Sequence, residues 1–97
     1  NSFQPTATYV VTAQGKNKSG LVHSISKFCY DHDINILDLA TRLSDGQYTM
    51  VLQLDLGKSP SVEKIQQDLD SFSDETGLKV TMQHNDIFKA THEVTLH

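Results

Sequence analysis

One cysteine, two prolines, no tryptophan and eight basic side chains in 97 residues exclude several classes of protein before any pattern is read. The single Cys29 can form neither an internal disulfide nor a cysteine-rich zinc site, and a small domain without such staples is expected in a reducing compartment, the cytoplasm. Eight Lys and Arg face twelve Asp and Glu, a net charge of -4, which leaves no concentrated basic patch for DNA or RNA. No apolar run approaches the ~18 residues of a membrane helix, and no charged segment followed by an apolar one opens the chain as a signal peptide would. A soluble protein without membrane attachment is expected. The length suits one domain, 1–97, and is too short for a two-domain enzyme. A domain this small has little interior to spare for a deep private pocket, so a ligand site belongs on an edge or is shared with another copy. Asn1, in place of an initiator Met, implies a processed or excised piece.

What the chain does have is alternation and helical periodicity in a regular order. Thr6 to Ala13 (TATYVVTA) sets Tyr9, Val11 and Ala13 on one side and Thr8, Val10 and Thr12 on the other, the pattern of a strand. After the polar stretch Gln14 to Ser19, a helix is expected from Gly20, with Leu21, Val22, Ile25, Phe28 and Cys29 as its core-facing stripe. Ile34 to Ser44 reads as a second strand and Gln47 to Leu56 as a third, joined by Asp45-Gly46, a strong hairpin signal. Ile34 and Ile36 share one parity and Leu37, Leu39 and Leu43 the other, which predicts a bulge in strand two. Ser59 is the expected cap of a second helix with Pro60 in its first position, Val62, Ile65, Leu69 and Phe72 on one stripe and Gly77 as its stop. Leu78, Val80 and Met82 alternate as strand four, and a tail, 84–97, carries Ile87, Phe88, Val94 and Leu96.

The order β-α-β-β-α-β defines an α+β fold of ferredoxin-like type. It is a two-layer sandwich with an antiparallel sheet of order 4-1-3-2 and both helices on one face. That fold hosts many functions, so activity must be read from local sites. The turn from strand one into helix one places Gly15, Asn17, Ser19 and Gly20 beside free helix N–H groups, which attract carboxylates and phosphates. The plain structural reading of the same residues is a cap by Ser19 or Asn17, with Gly20 permitting close packing.

Other chemistry is thin. His23, Asp31-His32-Asp33, His84, His92 and His97 show no metal-ligand spacing, and read best as solvated histidines rather than as the centre of a metal-dependent enzyme. Cys29 falls on the apolar stripe and reads as a core residue. Asp68, Asp70, Asp74 and Glu75 read as a solvated helix face. Tyr48 lies among helix-facing residues, so no exposed ring is offered to RNA bases.

Taken together, N-x-x-G at Asn17 to Gly20, I-N-I at Ile34 to Ile36, Asp38 and the Asp45-Gly46 hairpin, in this order, resemble an ACT domain over roughly residues 7–83. The closing D-I-F-x-A at Asp86 to Ala90 with His92 is similar to short stand-alone ACT proteins of bacteria. The resemblance implies a regulatory, non-catalytic module without a cofactor. It also implies an amino acid or related metabolite bound between the loop before helix one of one domain and the start of strand two of another. The candidate ligand-binding residues it marks are Asn17, Lys18, Ser19, Gly20 and Leu21 of the loop, with Asn35 and Ile36 of strand two. Asn17 and Asn35 match the two amides of serine-binding members, and Gly20 the glycine that lets the ligand approach. Asn17 departs from the Asp common in stand-alone relatives. An amide donates to a carboxylate that an Asp would repel, which suits an amino-acid carboxylate at the helix N-terminus, with Asn35 and backbone carbonyls taking the ammonium.

Edge physics leads to the same interface. In order 4-1-3-2 strand two is an edge, and a long apolar edge such as INILDLATRL is an aggregation hazard unless covered. A second copy covers it as a two-fold homodimer with an eight-stranded sheet, or Arg42 and Asp38 blunt it in a monomer. An assembly module that has lost its ligand site and uses the tail Asp86 to Leu96 for partner contacts is the alternative function.

Overall fold

A computed structural model describes residues 8–56 and 61–84. Six elements follow in the expected order: β1 (Thr8–Gly15), α1 (Lys18–Asp31), β2 (Asn35–Ser44), β3 (Gln47–Asp55), α2 (Val62–Thr76) and β4 (Lys79–His84). The strands form one antiparallel sheet of order β2-β3-β1-β4, which is the expected 4-1-3-2. Helix α1 lies over β1, β3 and β2, and α2 over β4.

The core sits between the sheet and this helix layer. It combines Val11 and Ala13 of β1, Met50, Leu52 and Leu54 of β3, Leu21, Ile25, Phe28 and Cys29 of α1, and Ile65 and Leu69 of α2. Each fully buried Leu or Ile contributes about 1.5–3 kcal/mol of apolar burial, so the alternation of β1 and β3 and the two helical stripes supply the driving force for the layers. Val22, Tyr48, Phe72, Val80 and Met82 border this core.

Element ends differ from the sequence pattern where local hydrogen bonding decides them. Helix α1 begins at Lys18 rather than Gly20, because Asn17 is the cap and its side chain accepts from the Gly20 N–H. Lys18, Ser19 and Gly20 are therefore the first helical turn, and β1 continues past Ala13 to Gly15, pairing with Tyr48. At its far end α1 stops at Asp31 by a hydrogen-bonded reversal. The Ile34 N–H donates to the Cys29 carbonyl at 2.8 Å and the Asp33 N–H to that of Tyr30 at 3.1 Å, while Asp33 takes the left-handed conformation at φ 56°. This pair of bonds satisfies orphan carbonyls and sets Ile34 on the core beside Cys29.

The hairpin between β2 and β3 closes on Asp45 and Gly46, at φ 53° and 77°, the two positive values that a two-residue turn of this hand requires. The expected phase slip in β2 is present, since the register jumps between Ile36 and Asp38 and leaves Leu37 without a partner. Ser61 caps α2, its side chain accepting from the Lys64 N–H at 3.2 Å, so the helix starts two positions later than a Ser59 cap would give. Ser-Pro-Ser offers two hydroxyls, and only the second precedes the apolar stripe directly. Gly77 ends α2 at φ 74°, as expected. Thr6, Ala7, the positions Ser59 and Pro60, and the tail from Asp86 lie outside the described residues, whereas His84, read as the start of the tail, is the last residue of β4.

Leu52 is fully buried on β3, within the core shared by the sheet and the helices. Leu52→Ala is expected to lower the unfolding free energy in urea by about 2–5 kcal/mol; a loss below about 1 kcal/mol contradicts a single tightly packed core.

Candidate functional site

The loop that carries Lys16 and Asn17 is short because β1 runs to Gly15 and α1 starts at Lys18. Asn17 is extended, at φ -114° and ψ 113°, and its Oδ1 accepts from the Gly20 N–H at 2.7 Å. Its own carbonyl accepts from the Leu21 N–H at 2.9 Å. A Cβ at Gly20 would meet Asn17 Oδ1 at 3.3 Å and Cγ at 3.7 Å, so the glycine leaves space for this cap. The cap uses one of the free helix donors, and the Asn17 amide nitrogen keeps two protons for an outside acceptor. Lys18, Ser19 and Gly20 are exposed and Leu21 is buried under them. Leu21 therefore anchors the turn in the core, while the backbone ahead of it faces outward.

Asn35 and Ile36 open β2 at the other end of the sheet. Asn35 pairs with Asp55 and Asp55 with Thr8, the first residue of β1, whereas Asn17 follows Gly15, the last. Seven strand steps separate these ends, roughly 23 Å at the usual rise. Among the seven candidate residues, the structure brings Asn17, Lys18, Ser19, Gly20 and Leu21 together in one turn and holds Asn35 and Ile36 far from them. Asn35 is exposed and Ile36 half-buried against the core.

Between these two ends runs the β2 edge. Leu37, Leu39 and Leu43 are 49%, 40% and 59% exposed, since α1 crosses the sheet without covering this strand's outer side.

One side-chain cluster had no signal in spacing. His32 and Asp68, 36 positions apart, were expected to be solvated; instead His32 Nε2 lies 3.0 Å from Asp68 Oδ2, with the two side chains 25% and 27% exposed. The imidazole stacks on Phe28 at 4.0 Å, and its Nδ1 lies 2.9 Å from the Phe28 carbonyl. Asp68 also accepts from Lys64 Nζ at 3.1 Å. Hydrogen bonds from Lys64 and then His32 hold the Asp68 carboxyl below the usual carboxylate range. This tie joins the end of α1 to the middle of α2.

Cys29 is buried as expected, and burial pushes its thiol up to about 11, which removes the thiolate that nucleophilic or redox chemistry needs. Among the described residues no three His, Cys, Asp or Glu side chains gather as a metal-binding group, and no helix is long and apolar enough to cross a membrane.

With this geometry in place, residues 7–83 match the ACT domain family. The chain is 30% identical over 86 residues to a UPF0237 protein of Clostridium perfringens, covering 88% of this chain and 97% of that relative. It is 35% identical over 89 residues to a UPF0237 protein of Neisseria meningitidis serogroup B, covering 88% and 96%. A third, from Methanopyrus kandleri, is 34% identical over 86 residues with the same coverage, so the similarity extends beyond bacteria to archaea. An ACT domain protein from Streptococcus pneumoniae superposes with a TM-score of 0.76 at 22% identity, over 88% of this chain and 97% of that one. A formyltetrahydrofolate deformylase from Pseudomonas putida shares the fold over 78% of this chain and 28% of its own, at 12% identity and a TM-score of 0.67. The chain belongs to the ACT domain family, whose members are in general regulatory, non-catalytic modules that bind small molecules and dimerise.

Because the Asp68 carboxyl is lowered in the folded state, its contribution to stability is present above the unfolded value near 4 and is lost as pH falls through the folded value. Asp68→Asn is expected to lower stability at pH 7 slightly and to flatten the acid-side decline that the parent shows from about pH 5 downward. Chemical denaturation across pH checks this, and an identical acid limb in the variant contradicts the His32–Asp68–Lys64 tie.

Proposed function

We propose that this chain is a non-catalytic regulatory domain that forms a homodimer through β2 and binds an amino acid or related metabolite between its two protomers. The observation that carries the reading is the separation of the two candidate half-sites. Asn17 and Asn35 stand at opposite ends of one sheet, so one chain cannot close them around a small molecule. Antiparallel pairing of two β2 edges about a two-fold axis sets the start of one strand beside the end of the other. It thereby carries Asn35 of the partner subunit toward the end of the sheet where α1 begins. The exposed Leu37, Leu39 and Leu43 give that pairing an apolar contact as well as backbone hydrogen bonds.

In this arrangement the first turn of α1, with the Asn17 amide nitrogen, receives the ligand carboxylate. Asn35 and adjacent carbonyls of the partner accept from its ammonium. Ligand binding then stabilises one arrangement of the two protomers by its higher affinity for that arrangement. The domain works as one unit, its core running through His84 at the end of β4, in the cytoplasm, without nucleic acid or membrane as partner.

A second reading has its own support. Asn17 Oδ1 is already committed to Gly20, so half of the loop amide serves the helix cap, as it would in a pure assembly module without a ligand.

Thermal unfolding against the twenty amino acids and common metabolites, with solution mass measured alongside, separates the two. A ligand at about 100 times its Kd stabilises by about 2.7 kcal/mol, which for this size raises Tm by roughly 4–8 °C per kcal/mol. The regulatory reading predicts a dimer with a selective rise, lost in Asn35→Ala while the unliganded Tm stays unchanged. A dimer that responds to nothing supports the assembly module, and a monomer contradicts both.

A further inference from the structure

The groove between α1 and α2 is lined by none of the seven candidate ligand-binding residues. Open to the surface, it offers about 500 Å³, within the range of roughly 300–1,000 Å³ usual for small-molecule pockets. Phe28 and Phe72 line it from opposite helices, their rings 5.2 Å apart and tilted by 58°. Phe28 is only 7% exposed and stacks on His32, so the half-buried Phe72 supplies most of the aromatic, apolar wall. Three carboxylates also line it, Asp31, Asp68 and Glu75, against the single ammonium of Lys27.

These charges are not equally engaged. Lys27 is bound to Asp31 at 2.7 Å, and Asp68 is held by Lys64 and His32. The Glu75 carboxylate makes no ion pair or side-chain hydrogen bond with any described residue. It stands in the last turn of α2, which contains no basic residue, where the helix carbonyls add partial negative charge. One end of the groove therefore carries unanswered negative potential next to aromatic rings, and that combination attracts cations bearing an apolar group.

The geometry points to a second ligand site in the α1–α2 groove for a primary amine carrying an aromatic ring, with its ammonium at Glu75 and its ring against Phe28 and Phe72. The site lies on the helix layer of a single protomer and needs no second copy. The hydrogen bond between His32 and Asp68, both part-exposed, ties the two helices together at one end of the groove. Asn17 and Asn35 contribute nothing to it, so its existence stands or falls separately from the dimer site.

The test is an NMR titration of the full chain with phenethylamine, with propylamine as the control without a ring and phenylacetate as the control without a cation. The expected result is saturable shifts at amides around Phe28, Phe72 and Glu75, stronger for phenethylamine than for propylamine and absent for phenylacetate. Glu75→Gln, an exposed change that leaves the fold intact, weakens phenethylamine by roughly two- to fivefold, the effect of one exposed charge pair. Phe72→Leu keeps the apolar wall but removes the ring, and weakens phenethylamine more than propylamine. Equal binding of phenylacetate overturns the proposal, as do shifts centred on residues 17–21 and 35–36 or the lack of saturable shifts at millimolar amine.

Discussion

The register of the central strands is the constraint on which the rest depends. Gly15 pairs with Tyr48 and Tyr48 with Leu43, while Thr8 pairs with Asp55 and Asp55 with Asn35. Backbone hydrogen bonds along three strands thus fix the start of β2 at one end of the sheet and the start of α1 at the other. A slip of one residue would turn Met50, Leu52 and Leu54 out of the core, so burial locks the register and with it the separation of Asn17 from Asn35. The distance between Asn17 and Asn35 is a consequence of core packing rather than a local property of either loop.

The same packing leaves β2 the most exposed of the described strands. Helix α1 crosses from the end of β1 to the start of β2 and spends its apolar stripe on β1 and β3. The outer side of β2 keeps its backbone groups and three leucines at the surface. Bulge formation at Leu37 is one way an edge strand resists indiscriminate pairing, and it sits next to the candidate residues Ile36 and Asn35. At the other end, the Asn17 cap anchors the first turn of α1, since the helix needs that hydrogen bond for its own start.

Much of the fold was legible in the sequence. Alternation marked the strands, the stripes of Ile25 with Phe28 and of Ile65 with Leu69 marked the helices, and Asp45-Gly46 marked the hairpin, because each pattern is imposed locally. The phase change between Ile36 and Leu37 was legible for the same reason. Boundaries were less so. Whether Asn17 or Ser19 caps α1, and whether Ser59 or Ser61 caps α2, depends on which side chain can turn back onto a particular N–H, and composition does not distinguish them. The candidate site was legible as a turn chemistry at Asn17 to Gly20 and as an edge at Asn35 and Ile36. The pairing of His32 with Asp68 was not, since two residues 36 positions apart meet only once two helices share one face.

The most direct test of a shared site is subunit complementation. A two-fold dimer has two sites, each formed by Asn17 of one chain and Asn35 of the other. Asn17→Ala and Asn35→Ala homodimers would each carry two damaged sites, whereas a mixed dimer carries both lesions in one site and leaves the other intact. Calorimetric titration of the mixed protein, with the amino acid that raises Tm, should recover binding at parental affinity in about half of the sites of each mixed dimer. Failure of the mixture to bind, when each variant folds and dimerises, would contradict a site built from two chains.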